Sequence, residues 1–136
     1  MAPEVGVTLF GATYSVYVRI ALMALAEKGV AYTLQPVDIF ARSDETEAYL
    51  GLNPFGKIPT LKHGDFVLYE TQAITRHVDE AFDGPTLQPS APPARARMAQ
   101  VLGTVDSFAY RPPLRAIDVA HTARPHVEGG DPAPRI

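Results

Sequence analysis

Apolar and β-prone residues fill the stretch "VGVTLF" at residues 5–10, and Gly11 ends it, which predicts a first strand. From Val16 the period changes. Val16, Ile20 and Ala24 recur at helical spacing with Leu22 and Leu25 beside them, and Gly29 closes the pattern as a C-terminal cap. "AYTLQPVDI" at residues 31–39 reads as a second strand, placed at a sheet edge because Pro36 has no N–H to give. "ARSDETEAYLGL" at 41–52 is a polar connector with a short helical pattern at Glu45 to Leu50. Two β runs, Ile58 to Lys62 and Phe66 to Tyr69, flank His63-Gly64-Asp65 and predict an antiparallel hairpin. A helix follows from Thr71 to Phe82, with Ala73, Ile74, Val78, Ala81 and Phe82 as its apolar stripe and Thr71 as its cap.

The order β, α, β, hairpin, α is a split βαβ unit with a ββα unit appended, which predicts an α/β, thioredoxin-like domain with a mixed sheet over residues 1–83. Residues 84–93 carry four prolines and one glycine and read as a linker. Residues 94–136 then read as a partial all-α unit. Its first helix, Ala94 to Tyr110, sets Met98, Val101, Leu102, Val105 and Phe108 or Ala109 at core spacing, and a short helix at 114–120 completes the expectation.

Composition narrows the function classes. With 46% hydrophobic and 20% charged residues the chain can bury a real core, and a net charge of −3 with scattered Lys and Arg gives no footprint for nucleic acid or an anionic membrane. The longest strongly apolar run, "IALMALA", is far shorter than a membrane span of about 20 residues, and the N-terminus has no leader pattern, so a cytoplasmic location is expected. There is no cysteine, which removes thiolate metal ligands and every cysteine nucleophile. The four histidines, His63, His77, His121 and His126, lie far apart in sequence and in unlike settings, so no metal site is expected.

Three stretches, "YSVYVRIALMALAEKG", "LNPFGKIPTL" and "LYETQAITRHV", together resemble the N-terminal domain of the cytosolic glutathione S-transferase superfamily, in its serine-type classes. The resemblance covers residues 5–83, and residues 94–110 are similar to the first helix of that family's all-α second domain. It implies glutathione as co-substrate, a small electrophile as second substrate, and a homodimer. Ser15, at the start of the first helix, matches the family's catalytic serine, where a hydroxyl and the helix dipole favour the thiolate of glutathione. Read by itself, Ser15 is first of all a helix cap. Tyr14 is the second choice; Phe10, where tyrosine-type members carry their phenol, has no hydroxyl.

The resemblance also implies that Pro59 follows a cis peptide bond and that the Ile58 backbone faces the cleft, where it pairs with the cysteinyl backbone of glutathione. Lys57 matches a position that contacts the glycine carboxylate. Glu70 matches an acceptor for the γ-glutamyl ammonium group, and Thr71, with the free N–H groups of the following helix turn, a holder of its α-carboxylate. Without the resemblance, Lys57 is surface and Glu70 and Thr71 are an acidic start and a cap. The family's second domain is much longer than the stretch found here after the linker, which leaves three readings: a glutathione transferase, a non-catalytic glutathione-binding or protein-interaction module, and an inactive truncated product.

Overall fold

The structure is a computed structural model that describes residues 6–41 and 44–114. Strand β1 (Val7–Gly11) is followed by helix α1 (Val16–Glu27), strand β2 (Thr33–Pro36) and helix α2 (Asp44–Leu50). Strands β3 (Thr60–His63) and β4 (Phe66–Tyr69), helices α3 (Thr71–Ala81) and α4 (Pro92–Thr104), and a π-helical segment, Val105–Leu114, complete the order. The four strands form one sheet in the order β2-β1-β3-β4, with β2 parallel to β1 and the β1–β3 and β3–β4 pairs antiparallel. This is the thioredoxin-like arrangement, a mixed sheet with its helices. Pro36 ends β2 at the sheet edge, where its missing N–H costs no ladder bond.

The core is compact in composition: Val7 and Leu9 of β1, Val18, Ala21, Ala24 and Leu25 of α1, Leu61 of β3, and Ile74 and Val78 of α3. In β1 the burial alternates, Val7, Leu9 and Gly11 inward, as a period of two requires. Gly11 allows the next element to approach, since a Cβ there would lie 2.6 Å from Val18 Cγ2. In α1 the expected Ala24 and Leu25 are buried and Leu22 packs against the core, but the rest of the stripe differs. Val18, Ala21 and Leu25 face the core while Ile20 is 40% exposed, because "VYVRIALMALAE" is apolar on several faces and only the sheet beneath it selects one. In the hairpin, Gly64 takes φ of 62° and lets His63 pair directly with Phe66 across a two-residue turn.

An ion pair ties the helices together. Lys28, which follows α1, reaches Asp79 of α3 at 3.3 Å, and both side chains are nearly fully buried. Asp79 also accepts from the Leu87 N–H at 2.8 Å and the Gln88 amide at 3.0 Å, while the Lys28 ammonium donates to the Pro85 carbonyl. Burial works against ionisation of Asp79, yet the Leu87, Gln88 and Lys28 hydrogen bonds and the lysine charge outweigh it and hold the carboxyl below its ordinary range. The proline-rich stretch after α3 is thus fastened by backbone and side chain to α1 and α3.

Contact density divides the chain into two compact units, Met1–Leu102 and Gly103–Ile136. The first holds the sheet, α1 to α3 and most of α4. Among the described residues, α4 has no buried side chain, and Val101 and Leu102 are exposed. In the second unit Val105 and Phe108 are exposed, on the π-helical segment. The helix expected at 114–120 lies outside the described residues apart from its first position.

Candidate functional site at one end of the sheet

Strand register gathers the separate sequence motifs. The end of β1 pairs with the start of β3 through Phe10 and Thr60, and the start of β3 pairs with the end of β4 through Thr60 and Tyr69. The chain leaving β1 toward Ser15, the Ile58-Pro59 step entering β3, and the Glu70-Thr71 step leaving β4 therefore meet at one end of the sheet. Arrival of α-helix N-termini there, from α1 and α3, makes that end favourable to negative charge.

Ser15 is the N-cap of α1. It is buried, with an extended backbone, and its Oγ accepts a long hydrogen bond of 3.4 Å from the Val18 N–H. Capping uses a lone pair of the hydroxyl, so its proton remains available for donation, and the capping and donor readings are compatible. The turn that carries Ser15 is pinned from two sides: the Ser15 N–H donates to the Ala12 carbonyl, and the Arg19 Nε–H donates to the Thr13 carbonyl at 2.7 Å. Tyr14, one residue earlier, stacks its ring on Phe40 at 6.4 Å between centroids. Phe10 packs against Tyr49.

The Ile58-Pro59 bond is cis, as the resemblance implies. Its support comes from residues to which the sequence pattern assigned no such part. Tyr49 of α2 is buried and donates its phenol proton to the Lys57 carbonyl, and the Asn53 amide donates to the same oxygen at 2.8 Å. Since the phenol's single proton is committed there, the Thr60 hydroxyl donates to the phenol oxygen at 2.7 Å. Burial raises the Tyr49 pKa above its usual value, against the lowering effect of its bonds to Thr60 and Asn53, so it stays a donor near neutrality.

This network has a geometric consequence. The Lys57 carbonyl and the Ile58 N–H belong to one planar trans peptide, so holding the carbonyl inward turns the N–H the opposite way. Among the described residues neither the Ile58 N–H nor its carbonyl makes a hydrogen bond. The connector expected to be peripheral therefore supplies, in Tyr49, a buried prop of the site. The Lys57 side chain itself is exposed. Asn53 additionally accepts from the Phe55 N–H, and Phe55 lies edge-on to Tyr69.

At the third step the structure corrects the expected cap. Glu70, and not Thr71, is the N-cap of α3; it makes no side-chain capping bond, and Thr71 is the buried first residue of the helix. Glu70 takes φ of 72°, unusual for a residue with a side chain and a conformation that costs about 1–3 kcal/mol. Its exposed carboxylate makes no hydrogen bond among the described residues. A strained backbone that sets an unengaged carboxylate at the start of a helix is an arrangement suited to a zwitterion.

Away from this end, His63 and His77, 14 positions apart in sequence, come together with 3.1 Å between Nδ1 and Nε2. Among the described residues no group of three or more potential metal ligands forms. No helix there is long and apolar enough to cross a membrane.

The chain is similar to known proteins in sequence and in fold. Residues 14–81 match the family described as glutathione S-transferase, N-terminal domain. Glutathione S-transferase F9 of Arabidopsis thaliana is 38% identical over 96 residues, 69% of this chain and 44% of its own length. A stringent starvation protein A homolog of Pasteurella multocida (strain Pm70) is also 38% identical, over 76% of this chain and 47% of its own. The theta class glutathione S-transferase of the citrus canker pathogen Xanthomonas axonopodis pv. citri, solved with glutathione bound, superposes with a TM-score of 0.67 at 38% identity, over 76% of this chain and 49% of its own. The chain spans about half the length of the curated relatives it matches. With the family match extending from the residue before Ser15 through α3, this chain belongs to the glutathione S-transferase family by way of its N-terminal domain.

Proposed function

We propose that the chain binds glutathione at this end of the sheet and uses it as a glutathione transferase, adding the thiolate to an electrophilic carbon of a small molecule. The observation that carries this reading is the meeting of Ser15, Ile58-Pro59 and Glu70-Thr71 through the strand register. Ser15 donates its hydroxyl proton in a hydrogen bond to the cysteinyl sulfur and stabilises it as thiolate, aided by the positive end of α1. The Ile58 N–H and carbonyl pair with the cysteinyl backbone, with Pro59 shaping the step. Lys57 meets the glycine carboxylate. Glu70 accepts from the γ-glutamyl ammonium, and Thr71 with the first turn of α3 holds its carboxylate. Tyr14 is the alternative hydroxyl for the thiol.

In this reading residues 1–83 are the glutathione-binding domain, 84–93 the linker and 94–136 the helical part; the protein is cytoplasmic and acts as a homodimer. Isothermal titration with glutathione, a conjugation assay with a generic aryl halide, and light scattering on the eluting protein test it together. Binding with conjugation lost in Ser15→Ala supports it, and absence of glutathione binding by folded protein overturns it. A second reading, a glutathione-binding or interaction module without turnover, is favoured by the stringent starvation protein A homolog among the relatives, whose name is not that of a transferase. It predicts binding in the titration with conjugation no faster than the uncatalysed rate.

A further inference from the structure

The pairing of His63 and His77 serves no part of the proposed glutathione site. His63 ends β3 and His77 lies in the middle of α3, so the hairpin and the helix each supply one imidazole. Their facing nitrogens, Nδ1 of His63 and Nε2 of His77, stand 3.1 Å apart. Phe82 lies against the His63 ring at 4.8 Å and Phe66 against the His77 ring at 5.0 Å, so aromatic surfaces hold both imidazoles in place. Both histidines are half-buried.

We infer that His63 and His77 form a two-imidazole site for a late first-row divalent cation such as Cu2+ or Zn2+, completed by water. A cation about 2.0–2.1 Å from each nitrogen spans their 3.1 Å separation with a ligand–metal–ligand angle of roughly 100°. That angle lies between square-planar and tetrahedral demands, and a turn of each ring aims both lone pairs at the cation. Imidazole suits these metals, and the chain has no thiolate to compete within it. Binding needs no net loss of protons. In the metal-free pair one facing nitrogen carries the shared proton; on metal binding each ring keeps its single proton on the far nitrogen, Nε2 of His63 and Nδ1 of His77.

Nearby, Glu80 is paired with Arg76 at 2.9 Å, which leaves the two imidazoles as the ligands on offer. The cation would clip β3 to α3.

Titration of the full chain with copper sulfate near neutral pH tests the inference by calorimetry. One equivalent is expected to bind the parent chain and the His121→Gln/His126→Gln variant alike. Both His63→Gln and His77→Gln should weaken it by more than about tenfold, the smallest loss usual when a metal's supporting residues are changed. Unchanged binding in either single variant overturns the site. A readout that needs no variant comes from proton NMR of the parent chain, where substoichiometric Cu2+ should broaden the ring signals of Phe66 and Phe82 first. Phe66 and Phe82 signals that stay sharp while other rings broaden also overturn it.

Discussion

A single hydroxyl carries two loads at Ser15. Its oxygen accepts from the Val18 N–H to cap α1, and its proton is free for the thiol of glutathione. Ser15→Ala removes both, so a fall in conjugation should be accompanied by about 0.5–2 kcal/mol of lost stability in a urea titration. Ser15→Gly, which keeps most of the helix start at a cost of only a few tenths of a kcal/mol, should lose activity equally while folding almost normally. Activity retained in Ser15→Gly would transfer the role to Tyr14. Glu70 offers a cleaner separation of stability from function. Glycine accepts φ of 72° without the penalty a side chain incurs, so Glu70→Gly should unfold at higher urea than the parent chain. The same change deletes the carboxylate, and glutathione affinity should drop about tenfold or more, as for loss of a hydrogen bond to a charged group. Parent-like affinity in Glu70→Gly would remove the carboxylate from the site.

Between elements, the polar network beneath the 53–60 loop and the ion pair between α1 and α3 decide geometry that no strand or helix pattern contains. Tyr49→Phe deletes the phenol that donates to the Lys57 carbonyl and holds Thr60. Because the ring still fills its place, calorimetry should find glutathione binding weakened while the fold persists, through a loosened Ile58 peptide. The Lys28–Asp79 pair has a pH signature. Asp79 titrates below its ordinary value in the folded chain, so its contribution is complete above the unfolded value and is lost as pH falls through the folded one. The urea midpoint of the parent chain should therefore decline on acidification below about pH 4, and more steeply than that of Asp79→Asn. At neutral pH the Asn variant, which leaves the Lys28 charge buried without its partner, should be less stable by roughly 3–5 kcal/mol.

At the scale of the chain, apolar side chains of α4, and of the segment after it, are exposed among the described residues. Val101 is 54% exposed and Phe108 76%, and Leu102 and Val105 are exposed with them. A homodimer is the proposed answer. Val101→Glu, which changes no residue of the glutathione site, should shift the sedimentation profile toward the monomer with glutathione affinity intact. An unchanged profile would place the association elsewhere or remove it.

Much of the architecture was legible because it follows from local rules. The alternation in β1, the Pro36 edge, the glycine turn of the hairpin and the period of α3 each depend on neighbours within a few positions, and the β4 boundaries agree with those expected. The motif around Pro59 made its cis bond foreseeable. Less legible were features that depend on which face meets which. The α1 stripe turned on the sheet beneath it, since the helix is apolar around most of its girth. No spacing singled out Asp79, on which Lys28, 51 positions earlier, closes. Tyr49 sat in a polar connector and proved to be the donor that orients the Ile58 peptide. The sequence by itself determined the elements, their order and the residue types at the site, because spacing and backbone chemistry are local. Only the tertiary structure decided which separated segments share a place, the chain steps that carry Ser15, Ile58 and Glu70 at one sheet end and His63 with His77 across β3 and α3, because strand register and side-chain reach are set by long-range packing.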